Sequence, residues 1–387
     1  MTSGRAPARP AGVRSHNLAL LLWSVVQEPS SRADLASRTG LTKAAVSGMV
    51  DDLVERQLLD EDPPAVTGRG RPSRLLRLHP NAPTAVGLEL NVDYVAAVRT
   101  TLDGHELAAH RAEIDSRALP WRELTRHLVA AWRAVVRPSG APVLGSGIAV
   151  PGVVDHAGVV LRATNVPALT GANVAAAVAT GLRVSRRSLV VDNEANLAAL
   201  AERHAPMAER DFVYVSGEVG VGAGLVIGGA LFRGAGGMAG ELGHVSIESK
   251  GRPCGCGGQG CVEQYAGQDA LLRAAGVTSV DALVAGLRDG RRRYVRAVAE
   301  AGSALGVGLA GLLNVIDVPT VVLGGLYAQV FEHLAPAVRD ELDRRVLAAD
   351  VRRPTVRAAH TGPEAAVRGA AAVVVQRALA DGTTLFS

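Results

Sequence analysis

Aromatic residues are scarce in this chain: four Phe, five Tyr and three Trp among 387 residues. Leu, Val and Ala must therefore fill the core. Cysteine is scarcer still. There are three, an odd number, all within residues 254–261, which argues against a disulfide framework. An excess of one charge is lacking too. A net charge of +4 excludes a basic coat for nucleic acid, so any DNA contact must come from a local patch. Mean hydropathy is high at +0.18, yet no apolar run approaches the roughly 18 residues that a membrane helix needs. Arg5, Arg9 and Arg14 precede an apolar stretch at 18–26 and imitate a secretion signal. Gln27-Glu28-Pro29 follows it where small cleavage-site residues would be needed. The expectation is a cytoplasmic protein with no membrane contact.

What is present divides the chain. Residues 1–12 are Pro, Ala, Gly and Arg without periodicity and are expected to form a disordered basic arm. Residues 13–79 form a compact unit. Leu18, Leu21, Leu22, Val25 and Val26 recur at helical spacing. A second, short helix carries Leu35 and Ala36 and stops at Thr39-Gly40. Thr42 caps a third, with Val46, Val50, Leu53 and Val54 on its buried face. Residues 58–78 read as two strands around a basic, Gly-rich loop, and 80–84 have linker composition. From 85 to 387 short apolar runs (85–90, 144–150, 189–191, 212–215, 320–323) alternate with helical stretches (121–136, 195–204, 294–313), which predicts an α/β domain of one or two related lobes.

Helix, short helix, Gly-containing turn, helix and hairpin together form a winged helix-turn-helix pattern. Its third helix enters the major groove with its N-terminal residues leading. Lys43 can reach a guanine edge or a phosphate, and Thr42 and Ser47 can donate to either. Ala44 and Ala45 allow close approach. The wing holds Arg69, Arg71 and Arg74, and no acidic residue occurs between Asp62 and Glu89. Arginines on a Gly-Pro loop suit a narrow minor groove. The expected partner is operator DNA.

The most specific signal is Gly240-Glu241-Leu242-Gly243-His244, followed by Cys254-Gly255-Cys256 and then Cys261-Val262-Glu263. One imidazole and three thiols within residues 244–261 fit a closed, tetrahedral, structural Zn2+ site. Thiolates prefer zinc to hard cations, and a filled fourth position leaves no room for an activated water.

These motifs resemble the ROK family, named for repressors, open reading frames and sugar kinases. Supporting segments are Val150-Pro151-Gly152-Val153, Asp192-Asn193-Glu194-Ala195-Asn196, the Gly-rich run at 217–240 and Val322-Leu323-Gly324-Gly325. With the N-terminal module, the arrangement looks like the family's xylose-repressor branch. The resemblance implies a two-lobed, actin-like α/β domain with a sugar cleft. It assigns sugar contacts to Asn193, Glu241, His244 and Glu263, and to Glu194 and Asn165 beside them. Carboxylates suit adjacent hydroxyls, and a metal-held imidazole presents its second nitrogen in a fixed tautomer.

Three departures from the family's kinases set the expected class. The first phosphate turn reads Glu89-Leu90-Asn91-Val92-Asp93, without the glycines that admit phosphate and with Asp93 expected near the phosphate oxygens. The second places Glu218 where a phosphate would lie. Glu194 replaces the general-base aspartate, one methylene too long for strict geometry. The expectation is therefore a regulator without enzymatic activity: a homodimer or tetramer that binds an inverted repeat and is released from it by a sugar or sugar phosphate. It would repress carbohydrate-metabolism genes. The alternative is an ATP-dependent sugar kinase with an added DNA-binding domain.

Overall fold

The computed structural model describes residues 10–63, 74–137, 140–205, 208–381 and 383–386. The helix Pro10–Gln27 begins inside the expected arm, so residues 10–12 are helical; residues 1–9 lie outside the described chain. Next comes Arg32–Thr39. The Ser31 hydroxyl accepts from the Asp34 N–H at 3.2 Å, and the Ser31 N–H donates to the Asp34 carboxylate at 3.1 Å, a reciprocal cap on two otherwise orphaned donors. Gly40, at φ 71°, ends that helix in a conformation a Cβ would disfavour. Thr42 then caps Lys43–Glu55, accepting from the Ala45 N–H at 3.2 Å.

Val46, Met49, Val50 and Leu53 form the buried face of Lys43–Glu55. Val54, expected there, is only half-buried and packs at the edge of the core. Strands Leu59–Glu61 and Leu75–Leu78 pair antiparallel, as expected of a wing. A third strand, Ser30–Ser31, joins their other side; two serines carry no strand signature, and tertiary pairing alone places them.

Thr84, read from composition as linker, is buried and opens the first strand of the large domain, with its N–H on the Pro142 carbonyl at 2.8 Å. The first lobe is a five-stranded sheet. Thr84–Leu90, Tyr94–Thr100 and Glu106–Glu113 form an antiparallel meander, and Val143–Val150 and then Leu189–Asn193 add parallel to its first strand. The second lobe repeats this topology. Phe212–Gly217, Val221–Ile227 and Ala230–Leu231 form the meander, and Thr320–Gly325 and Thr355–Ala358 add in parallel. Every residue of Thr84–Leu90 is buried, which explains its unbroken apolar run, whereas the edge strand Glu106–Glu113 is not fully buried at any position.

Two helices occupy the seam between the lobes, Glu194–Arg203 and Ala365–Asp381, and pack on each other. Ala365–Asp381 also joins the N-terminal module. Leu18, Leu21, Leu22 and Val25 share one hydrophobic core with Ala371, Val374, Val375 and Ala378. Truncating fully buried Leu21 to alanine costs about 2–5 kcal/mol, the usual range for such a site. In the second lobe Arg292–Ile316 is long and apolar enough to cross a membrane by length and composition, against the expectation that no such run exists. Val298, Leu305, Leu309 and Leu313 bury one of its faces in the lobe's core. Gly302 brings it so close to Phe331–Arg345 that a Cβ there would stand 2.7 Å from the Leu334 carbonyl oxygen.

Candidate functional site

His244, Cys254, Cys256 and Cys261 converge. Their ligand atoms lie within 4.8 Å of one another, and the group can hold a metal ion. The Sγ atoms of Cys256 and Cys261 are 3.7 Å apart, close to the edge of about 3.8 Å expected for a tetrahedron with metal–sulfur bonds of about 2.3 Å. His244 turns Nδ1 to Cys254 Sγ at 3.8 Å. The Gly258 N–H donates to Cys256 Sγ at 3.4 Å, and the Gln264 amide donates to Cys254 Sγ at 3.6 Å. Arg162, which carried no signal in the sequence, pins the loop by donating to the Cys256 carbonyl at 2.7 Å.

Beside this cluster opens a cavity of about 340 Å³ between the lobes. It gathers Asn165, Asn193, Glu194, Glu241, His244 and Glu263, all six residues the family resemblance assigned to sugar. Gly220 keeps it open, because a Cβ there would stand 2.3 Å from Glu263 Oε2 and 3.0 Å from Asn165 Nδ2. Glu263 is held by the Val221 N–H at 3.3 Å. Burial pushes the carboxyls of Glu241 and Glu263 above the usual range.

Asn193 is more constrained than its motif suggests. Its Oδ1 caps the seam helix, accepting from the Ala195 and Asn196 N–H groups at 2.8 and 3.3 Å, and its Nδ2 donates to the Gly152 carbonyl at 2.9 Å. One amide hydrogen remains for a ligand.

Glu194 also borders a second space. There Glu89, Glu194 and Glu218 line a crevice of only about 10 Å³, no larger than one water probe. The two lobes' equivalent turns meet here, and each brings a glutamate. Glu89 accepts from the Tyr94 hydroxyl at 2.8 Å and from the Asn91 amide at 3.2 Å. Burial first, then the neighbouring Glu89 carboxylate, pushes Glu218 up to about 8. Burial, reinforced by Glu218 and Glu89, holds Glu194 well above the carboxylate range. Asp93, on the same turn as Glu89, is exposed and faces Arg117 at 3.9 Å, outside the crevice lining.

On the module, Thr42, Lys43, Ala44 and Ala45 are exposed along the start of the third helix, and Gly48 continues that smooth face. Ser47 is half-buried, and its hydroxyl accepts from Arg32 at 3.1 Å. Arg32 also reaches Asp51 at 2.7 Å and Glu61 at 3.1 Å, a brace that sequence reasoning missed. Arg74 is exposed and lies 3.7 Å from Glu61. Arg69 and Arg71 lie outside the described residues.

A model of the ROK family matches residues 85–377. Over 350 residues the chain is 29% identical to the xylose repressor of Bacillus spizizenii, covering 86% of this chain and 88% of that protein. A ROK family glucokinase from Streptomyces griseus, solved in complex with glucose and AMPPNP, shares 27% identity at a TM-score of 0.68, covering 76% of this chain and 99% of its own. A ROK family transcriptional regulator homologous to the E. coli MLC protein has the same fold at a TM-score of 0.78 and 22% identity, over 96% of this chain and 98% of its own.

Proposed function

The chain belongs to the ROK family, and on that premise we propose that it is a sugar-responsive, DNA-binding transcriptional regulator without kinase activity. The carrying observation is the contrast between two neighbouring spaces. The cavity of sugar-type residues is open at about 340 Å³, while the crevice where a phosphoryl group would pass is narrowed to about 10 Å³ by three glutamates. Binding needs only the first; phosphoryl transfer needs both. Glu194 stands where the family's kinases carry an aspartate and is one methylene longer, and burial with the neighbouring Glu218 and Glu89 carboxyls raises its pKa. The likeness to the Bacillus repressor extends over 86% of the chain, and the likeness to the glucokinase over 76%.

In this reading a neutral monosaccharide fits the cavity better than a sugar phosphate, because Glu194, Glu241 and Glu263 line it against one arginine, Arg162. Xylose, named in the Bacillus relative, is the first candidate. The carboxyls accept from ring hydroxyls. The metal cluster is read as structural zinc, which fits three sulfurs and one imidazole with spacings near a tetrahedral edge. A metal on Nδ1 leaves Nε2–H of His244 as a fixed donor. Release from an inverted-repeat operator, bound by a homodimer, completes the proposal.

The seam helix supplies the coupling. Ten residues long, it spans about 15 Å. It begins at Asn193 and Glu194 in the cavity and ends at His204 against Trp23 of the first helix. The test is calorimetric titration of the metal-loaded protein with neutral monosaccharides, with and without Mg-ATP. Selective sugar binding with no ADP formed supports the regulator; sugar-dependent ADP formation contradicts it.

A further inference from the structure

A second and larger cavity, of about 890 Å³, lies against the outer edges of both sheets. Its lining includes residues 189–192 of Leu189–Asn193, the edge strand of the first lobe, and Ala230–Leu231, the edge strand of the second. Arg186, Arg187, Arg203, Arg233 and Arg377 line it, against a single carboxylate, Asp192. That carboxylate is already engaged. Arg233 Nη2 donates to its Oδ1 at 3.1 Å, and Arg233 Nε lies 3.1 Å from its Oδ2. Among the described residues, the guanidinium groups of Arg186, Arg187, Arg203 and Arg377 have neither a hydrogen-bond nor an ion-pair partner.

Exposed arginines without a partner occur elsewhere, Arg122 and Arg288 among them, but these four are gathered in one cavity, and other surface arginines are engaged. Arg357 holds Glu202 and Glu209, Arg368 holds Glu106 and Glu364, and Arg353 holds Asp343. Unpaired cations gathered on a concave wall repel one another, and the cleft concentrates their potential. A guanidinium fork matches phosphate oxygens two at a time.

We propose that this cavity binds a small polyanion carrying at least two phosphoryl groups, bridging the Arg186–Arg187 turn of the first lobe and Arg377 of the second seam helix. The sugar cavity, lined with carboxylates, has the opposite character. The two sites lie back to back at the end of one strand: Asp192 lines the arginine cavity, and its neighbour Asn193 lines the sugar cavity. Arg233 ties them to the second lobe. Beyond Asp192 it reaches the Asp155 carbonyl at 3.3 Å and His156 at 3.2 Å, and its chain segment continues to Glu241. An anion that also engages Arg203, at the end of the seam helix packed on the second sheet, clamps the lobes at this edge and changes the free energy of closing them around a sugar. The linkage is reciprocal: anion alters sugar affinity and sugar alters anion affinity by the same factor.

The test uses the full chain, titrated calorimetrically at low ionic strength with pyrophosphate, a hexose bisphosphate, and ADP without magnesium. The three probes share the chemistry and separate its sources. At least one is expected to bind, and Arg187→Ala/Arg377→Ala, two exposed positions, to weaken it at least tenfold while leaving the melting temperature in place. Glu263→Gln, altered in the other cavity, is expected to keep the anion. Anion binding that survives the double substitution, or no binding by any of the three, overturns the proposal. So does a double variant whose only loss is affinity for a DNA duplex, which would assign these arginines to DNA phosphates.

Discussion

The indole of Trp23 and the imidazole of His204 meet edge to face, with ring centroids 6.1 Å apart and planes at 88°. One ring belongs to the DNA-binding module and the other ends the seam helix that starts in the sugar cavity. His204 Nδ1 lies 2.6 Å from the Leu200 carbonyl, so it carries the hydrogen, and Nε2 accepts from the Gln376 amide at 2.8 Å. Desolvation by the packing around the ring lowers the imidazole's pKa. His204→Ala is predicted to leave sugar and operator binding in place and to weaken the effect of one on the other. Coupling energies of about 1–3 kcal/mol correspond to roughly 5- to 150-fold. The variant should lose at least half of that energy, read as operator affinity with and without sugar. An unchanged response rules this contact out as the link.

Gly220 lines the sugar cavity between Glu263 and Asn165. Gly220→Ala puts a methyl group where Glu263 and Asn165 now face each other, 2.3 Å from a carboxylate oxygen. Sugar affinity should fall by about tenfold or more, an effect of over 1.4 kcal/mol. Operator binding without sugar should persist, giving a repressor that no longer responds. Titration calorimetry and operator binding on one preparation check both halves.

The metal cluster should behave as architecture. A strong chelator is expected to remove close to one zinc per chain by elemental analysis, to lower the melting temperature and to abolish sugar binding. Readdition of zinc should restore both. Cys256→Ser should reproduce the apo protein, since one thiolate of the tetrahedron is lost. A chelated protein that binds sugar with unchanged affinity contradicts this role.

Glu218 offers a pH signature. Its carboxyl is pushed from 4.5 to about 8 in the folded protein, so the native state keeps a proton that the unfolded chain has released. The stability this proton provides is full below about pH 4.5 and is lost as pH rises to about 8. Glu218→Gln removes that loss. Its stability relative to the parent should grow across this window and level off above it, by on the order of a few kcal/mol at most. A constant difference from pH 4.5 to 8 contradicts the assignment.

Legibility followed distance along the chain. The His-Cys cluster was readable because its four residues fall within residues 244–261, where a tight loop can fold them together. The residues that line the cavity between the lobes were readable through motifs, although Asn193 proved to spend most of its amide on a helix cap and the Gly152 carbonyl. Glu218 was readable as a charge in a phosphate loop, but not its meeting with Glu89 and Glu194, which needs both lobes in place. Asp93 was readable as a charge on the first turn, but not its exposure or its approach to Arg117. Nothing in composition pairs Trp23 with His204 or gathers Arg187 with Arg377; these contacts exist only once the seam helices cross the molecule. The long apolar helix was misjudged because its few charges lie at one end, while its core-facing side is unbroken.

The central claim is that sugar binding controls DNA binding without chemistry on the sugar. The most direct measurement takes a duplex that the protein itself selects from random sequence and follows its release, by fluorescence anisotropy, during titration with neutral monosaccharides, while ADP formation is assayed in the same solution with Mg-ATP. Lys43→Ala, which removes an exposed cation at the start of the recognition helix, sets the background. The account predicts an inverted-repeat duplex, release by one sugar or a few related ones, and no ADP above background. Duplex binding that no sugar changes, or sugar-dependent ADP formation, would contradict it.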